Sequence, residues 1–176
     1  QKYWDHYQVD PKRMITGVGH QYGKPGKEEI VNPKGLITVF NKPFEGKPEQ
    51  IVWQDPRMRS DQGSFYPCQP NDIEFNYCAI PKKVFYDIGG CDEDYDYVGH
   101  AWDNCSVSQR AFALGYQPYI DQTNISYSVR HDDFFYTKVK VNDWHEIAEF
   151  HNMRMKEIAE GKRPIRYTFL DNYMNK

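Results

Sequence analysis

IEFNYCAIPKKVFYDIGG, residues 73–90, is the stretch on which the reading of the fold turns. Its first half alternates apolar side chains at Ile73, Phe75, Tyr77 and Ala79, the period of a half-buried strand. Pro81 then opens a short helix, where a missing N–H costs nothing, and Gly89-Gly90 stand just past its end, where a left-handed cap is needed. An acidic cluster, CDEDYD, follows at 91–96. AWDNCSVSQRAFALGY, residues 101–116, predicts a second helix from about Ala101 to Leu114 with Gly115 as its cap. Strands are expected at 117–120 and 124–130, the second leading into His131.

Working outward, MITGVGHQY at 14–22 reads as a strand whose two glycines allow another backbone to come close. Residues 1–10 ahead of it read as a helix. LITVF at 36–40 reads as a short buried strand, and the proline-rich run between Asn41 and Asn71 as mostly loop with one strand at Ile51–Trp53. Downstream, Trp144, Ile147, Ala148, Met155, Ile158 and Ala159 mark an amphipathic helix over 143–160. Strands alternating with helices predict an α/β layer fold, a mixed sheet with flanking helices. At 176 residues and 39% hydrophobic content, the chain predicts one domain spanning 1–176.

Composition excludes several classes. The formal net charge is -3 with acids and bases interspersed, so there is no basic stripe for nucleic acid. No run of about 18 apolar residues predicts a membrane span, and no charged head leads into an apolar stretch at the N-terminus. The expected compartment is the cytoplasm. Cys68, Cys78, Cys91 and Cys105 form no CxxC pair and are expected as free thiols. Aromatic residues make up 16% of the chain, a supply of flat faces with polar tips that suits sugars as well as cores.

AIPKKVFYDIGGCDEDYD followed by AWDNCSVSQRAFALGY resembles the family 2 glycosyltransferases, in which an apolar strand and helix lead into GG-x-D-E and then into an ED-x-x-L-x-x-R-x-x-x-x-G-Y helix. The resemblance covers about a third of the chain directly, and the flanking elements follow the same order. It implies the C-terminal, acceptor-binding portion of a GT-A fold, the Rossmann-like fold of nucleotide-diphospho-sugar transferases. The implied activity is transfer of a sugar from a nucleotide-sugar donor to the hydroxyl of a carbohydrate or other acceptor. The donor-binding half with its Asp-x-Asp is expected ahead of Gln1, and Asp92-Glu93-Asp94 and Asp94-Tyr95-Asp96 lie in the acceptor-side register instead.

Site residues follow from the same alignment of motifs. Gly89 and Gly90 let the backbone turn under the acceptor, with helix capping as the plain alternative. Asp92 and Glu93 stand where the resemblance places acids near the acceptor, and a solvated acidic turn is the alternative. Asp103 is the candidate base: a carboxylate in the first turn of a helix stays ionised and can take the acceptor proton, although acids are common there simply as caps. Counting back from Arg110 puts Asn104, not an aspartate, at the family's usual catalytic position. Either Asp103 takes over the role, or the chain follows the acid-asparagine pattern of the retaining polypeptide N-acetylgalactosaminyltransferases. Trp102 is a candidate for stacking on an acceptor sugar or for packing.

His131 is the candidate metal ligand, because a strand-end histidine often completes the Mn2+ or Mg2+ site in GT-A enzymes. His145 and His151 do not have zinc-helix spacing and read as a surface or core pair. Two other readings stand beside transfer. One is a catalytically silent carbohydrate-binding or structural module, suggested by Asn104. The other is a metal-dependent hydrolase built on His100, His131, Asp132 and Asp133, whose spacings do not match typical hydrolytic sites.

Overall fold

A computed structural model of the chain describes residues 2–22, 51–95, 102–129 and 144–168. The elements are α1 (Lys2–Val9), β1 (Arg13–Tyr22), β2 (Ile51–Gln54), β3 (Phe65–Pro67), β4 (Cys78–Ala79), α2 (Lys82–Ile88), α3 (Asp103–Ala113), β5 (Gln117–Val129) and α4 (Trp144–Ala159). They form an α/β arrangement, a mixed five-stranded sheet with flanking helices, as the alternation of periods predicts. The strand order is β2-β1-β5-β3, with β4 also pairing β1. β1 and β5 are parallel, and the other pairings are antiparallel. The expected strand at 36–40 and His131 lie outside the described residues.

β1 is central because its residues suit burial on both sides: Met14, Ile15 and Val18 are almost fully covered. Gly17 admits the neighbouring strand, since a Cβ there would meet the Asn124 carbonyl oxygen at 2.4 Å. The principal core joins Met14 to Ile73, Val84, Ile88, Val107, Ala111 and Tyr116, so it fills the space between the sheet and the pair α2/α3. Each fully buried aliphatic side chain there contributes about 1.5–3 kcal/mol. A smaller cluster of Val18, Tyr66 and Ile120 fills the space nearer β3.

Two sequence expectations need correction. The alternation at 73–80 does not make a strand: Pro70–Asp72 and Phe75–Tyr77 are 3-10 turns, and only Cys78–Ala79 joins the sheet. Local bonds take the donors that a ladder would use, Asp72 N–H to Gln69 O (3.0 Å) and Tyr77 N–H to Glu74 O (3.3 Å), while the Glu74 N–H reaches the Thr16 hydroxyl at 3.3 Å. The expected pair of strands at 117–120 and 124–130 is one strand, β5, with an irregular middle. Thr16 faces Ile120 but Val18 faces Ile125, so the intervening residues of β5 bulge. Asp121 secures that bulge by accepting from the Thr123 N–H at 2.9 Å and from its hydroxyl at 2.6 Å.

The chain after β2 is pinned by Asp55, which accepts from the Gly19 N–H (3.0 Å) and from Arg57 Nε (2.8 Å). Burial alone would raise the Asp55 pKa, but the hydrogen bonds from Arg57 and Gly19 outweigh it and hold the carboxyl below its ordinary value. Cys68, Cys78 and Cys105 are free thiols, as expected. Burial pushes Cys68 up to about 12 and Cys105 up to about 11, which keeps both as neutral packing groups.

Candidate functional site

The motif residues meet where the end of α2 faces α3. Gly89 caps α2 with φ 74°, and its N–H bonds back to Tyr86 O. No other residue type fits, because a Cβ on Gly89 would stand 1.6 Å from the Tyr167 carbonyl oxygen. The segment after α4 thus runs directly over the double glycine, with the Tyr167 N–H donating to Ile88 O at 2.8 Å.

Arg110 holds these pieces together. It is 1% exposed, and its guanidinium donates to Ile88 O at 2.9 Å, Gly90 O at 2.8 Å and Ile165 O at 3.4 Å. It also lies 4.2 Å from the centroid of the Tyr167 ring. Burial pulls the Arg110 pKa below its ordinary value, against the neighbouring Tyr167 and Asp92. Just past the same end of α3, the buried Tyr116 donates its hydroxyl to Asp87 at 2.7 Å, and burial, followed by that bond, pushes its phenol up to about 12. The arginine and the tyrosine of the motif therefore tie the C-terminal end of α3 to the C-terminal end of α2.

Behind the double glycine lies a buried polar cluster. Asp92 is 2% exposed; its Oδ1 accepts from the Asp94 N–H at 3.1 Å, and its Oδ2 lies 3.9 Å from Arg154 Nε. Arg154, on α4, also pairs with Asp94 and with Glu157. The Tyr95 hydroxyl and His151 Nδ1 are hydrogen-bonded at 2.7 Å, the imidazole tautomer setting which of them donates. Burial lowers the His151 pKa, consistent with the neutral form. The Trp102 ring stands 5.0 Å from the His151 ring. Burial and the nearby Asp92 carboxylate raise the Tyr167 phenol.

Asp103 begins α3 and is exposed, while Val107 and Arg110 farther along the helix are buried. Trp102, just before it, has φ 70°, the one non-glycine residue with positive φ among the described residues. Such a conformation persists only when the surroundings impose it, and it aims the start of α3. Asn104 Oδ1 accepts from the Cys105 N–H at 2.9 Å. Glu93 is exposed. The structure therefore brings Gly89, Gly90, Asp92 and Trp102 into one framework, with Asp103 exposed and Asn104 half-buried in the first turn of α3. Residues 96–101, which lead into α3, lie outside the described residues.

Sequence reading used Arg110 only to set the register and assigned nothing to Tyr95, Arg154 or Tyr167. A signal was present: Ile147, His151, Arg154 and Ile158 recur at helical spacing, placing a histidine and an arginine on the buried stripe of α4. Among the described residues no group of three or more His, Cys, Asp and Glu side chains is placed to hold a metal ion. No helix among them is long and apolar enough to cross a membrane. No protein-family model, curated protein or solved structure matches the chain.

Proposed function

We propose that the chain is the acceptor-side part of a GT-A glycosyltransferase, moving a sugar from a nucleotide-diphosphate sugar to an acceptor hydroxyl. The observation that carries this reading is the Arg110 lock: the double glycine and the Asp103 helix, the two halves of the motif, are one unit joined through the Ile88 and Gly90 carbonyls. A transferase needs that rigidity, because its base must be held within hydrogen-bond reach of the attacking hydroxyl.

Asp103 is the base in this reading. Its exposure at the start of α3 leaves the carboxylate open to an acceptor. As the hydroxyl oxygen attacks the anomeric carbon, the Asp103 carboxylate takes the proton and the nucleotide diphosphate leaves with the bonding pair. Gly89 and Gly90 supply the turn beneath the acceptor, Asp92 and Glu93 its acidic side, and Trp102 with Asn104 border the base. A divalent metal with His131 as one ligand belongs to the complete enzyme, where it would neutralise the leaving diphosphate.

A second reading, a silent carbohydrate-binding or structural module, draws on Asn104 and on the use of Arg110 and Asp92 in packing. In the intact enzyme, with the donor-binding half that this reading calls for, release of nucleoside diphosphate from a panel of nucleotide sugars, dependent on added saccharide acceptor, separates the two. Acceptor-dependent release supports transfer, and acceptor binding without release supports the silent module.

A further inference from the structure

Away from the motif framework, a cavity of about 440 Å³ lies against α1. Its lining includes Tyr3, Trp4, Tyr7, Arg13, Ile15 and Lys82, none of them a residue of the proposed transfer site. The volume falls within the range of small-ligand pockets. Tyr3 is locked by its hydroxyl, which donates to Tyr77 O at 3.0 Å, and the buried Ile15 belongs to the sheet behind it. Trp4 is 58% exposed, unusual for the largest side chain, and its ring stacks on Tyr7 with centroids 5.6 Å apart. Two cations complete the lining. The Arg13 guanidinium donates to the His6 carbonyl oxygen at 3.5 Å and lies over the Phe65 and Tyr119 rings, and the Lys82 ammonium sits 5.4 Å from the Tyr86 centroid. Neither pairs with a carboxylate among the described residues.

We propose that this cavity binds a pyranose bearing an anionic group, a uronate or a sugar phosphate. Exposed aromatic faces suit the C–H face of a sugar ring, whose hydroxyls stay in water at the rim. The two cations supply charge-assisted donors to the anion. An apolar partner would have to desolvate both cations with nothing to pair them, which disfavours it. The site is independent of the transfer chemistry, so it stands or falls apart from the role of Asp103.

Saturation-transfer NMR on the whole chain, with glucuronate, glucose phosphate and neutral glucose as probes, tests it. Either acid should bind roughly tenfold more tightly than glucose, and which acid does so names the anion. Lys82→Gln should bring the acids toward glucose, and Trp4→Ala should abolish transfer to all three. Both side chains are exposed, so unchanged circular dichroism and Tm should accompany these losses. Equal binding of acids and glucose, no binding, or binding untouched by Trp4→Ala would overturn the proposal. A concentration-dependent dimer that Trp4→Ala dissociates, with no saccharide binding, would overturn it too and assign the face to a second copy.

Discussion

Gly89 and Arg110 carry more of the framework than their neighbours. Replacing Gly89 by alanine sets a Cβ in the left-handed region and drives it into the Tyr167 backbone, which cannot give way as a flexible side chain could. The left-handed conformation alone costs about 1–2 kcal/mol, and displacement of the 165–167 segment adds to it. Gly89→Ala should therefore lower stability by roughly 3 kcal/mol in urea denaturation; a loss under about 1 kcal/mol would contradict the packing described. Arg110→Met fills similar space but removes the guanidinium donors to the Gly90 and Ile88 carbonyls, leaving Ile88 O only its bond from the Tyr167 N–H. It should cost about 3 kcal/mol or more, and Arg110→Lys, which keeps charge but loses the planar fork, should recover only part. The double glycine was legible because chain direction and cap chemistry are local. The role of Arg110 was not, because the Ile88, Gly90 and Ile165 carbonyls it joins lie 20 or more residues away.

Among the elements, α4 makes a prediction about pH. His151 is buried with its pKa lowered, facing Tyr95 from the acidic segment and Trp102 from the start of α3, with Arg154 on its own helix. The unfolded chain takes up the proton near the ordinary value of about 6.5, before the folded chain does. The contribution of neutral His151 is thus complete above about pH 6.5 and is lost as pH falls toward the lower folded-state value. Denaturation midpoints should drop between about pH 7.5 and pH 5.5, and the drop should shrink in His151→Phe; an equal drop in both proteins would contradict the assignment. Helices and β1 were legible from period and caps. The 73–80 segment was not, since alternate burial of Ile73 arises equally from two 3-10 turns whose N–H groups are already satisfied. Nor was the continuity of β5, because Asp121, Gln122 and Thr123 read as a loop. In the fold Asp121 and Thr123 bond to each other, and Gln122 bonds to Arg59 and Gly63.

At the scale of the molecule, the sheet, α2 and α3 form a platform, and α4 with the segment to Tyr167 closes over the double glycine. The mixed α/β architecture was readable from alternating periods, and so was the adjacency of the two motif segments. The closure by Tyr95, His151, Arg154 and Tyr167 was not, because it joins residues more than 50 positions apart through single side-chain contacts that leave no periodic trace. In the proposed reading this closed framework exists to present Asp103 at an open rim. The decisive measurement, made in the intact enzyme with its donor-binding half, compares Asp103→Asn with the native side chain in acceptor-dependent release of nucleoside diphosphate, with donor binding measured in parallel by titration. The base acts on the acceptor proton in the transition state, so turnover should fall on the order of a hundredfold or more while donor affinity changes by less than about threefold. An Asp103→Asn protein that turns over at a near-native rate would contradict the assignment of Asp103 as the base.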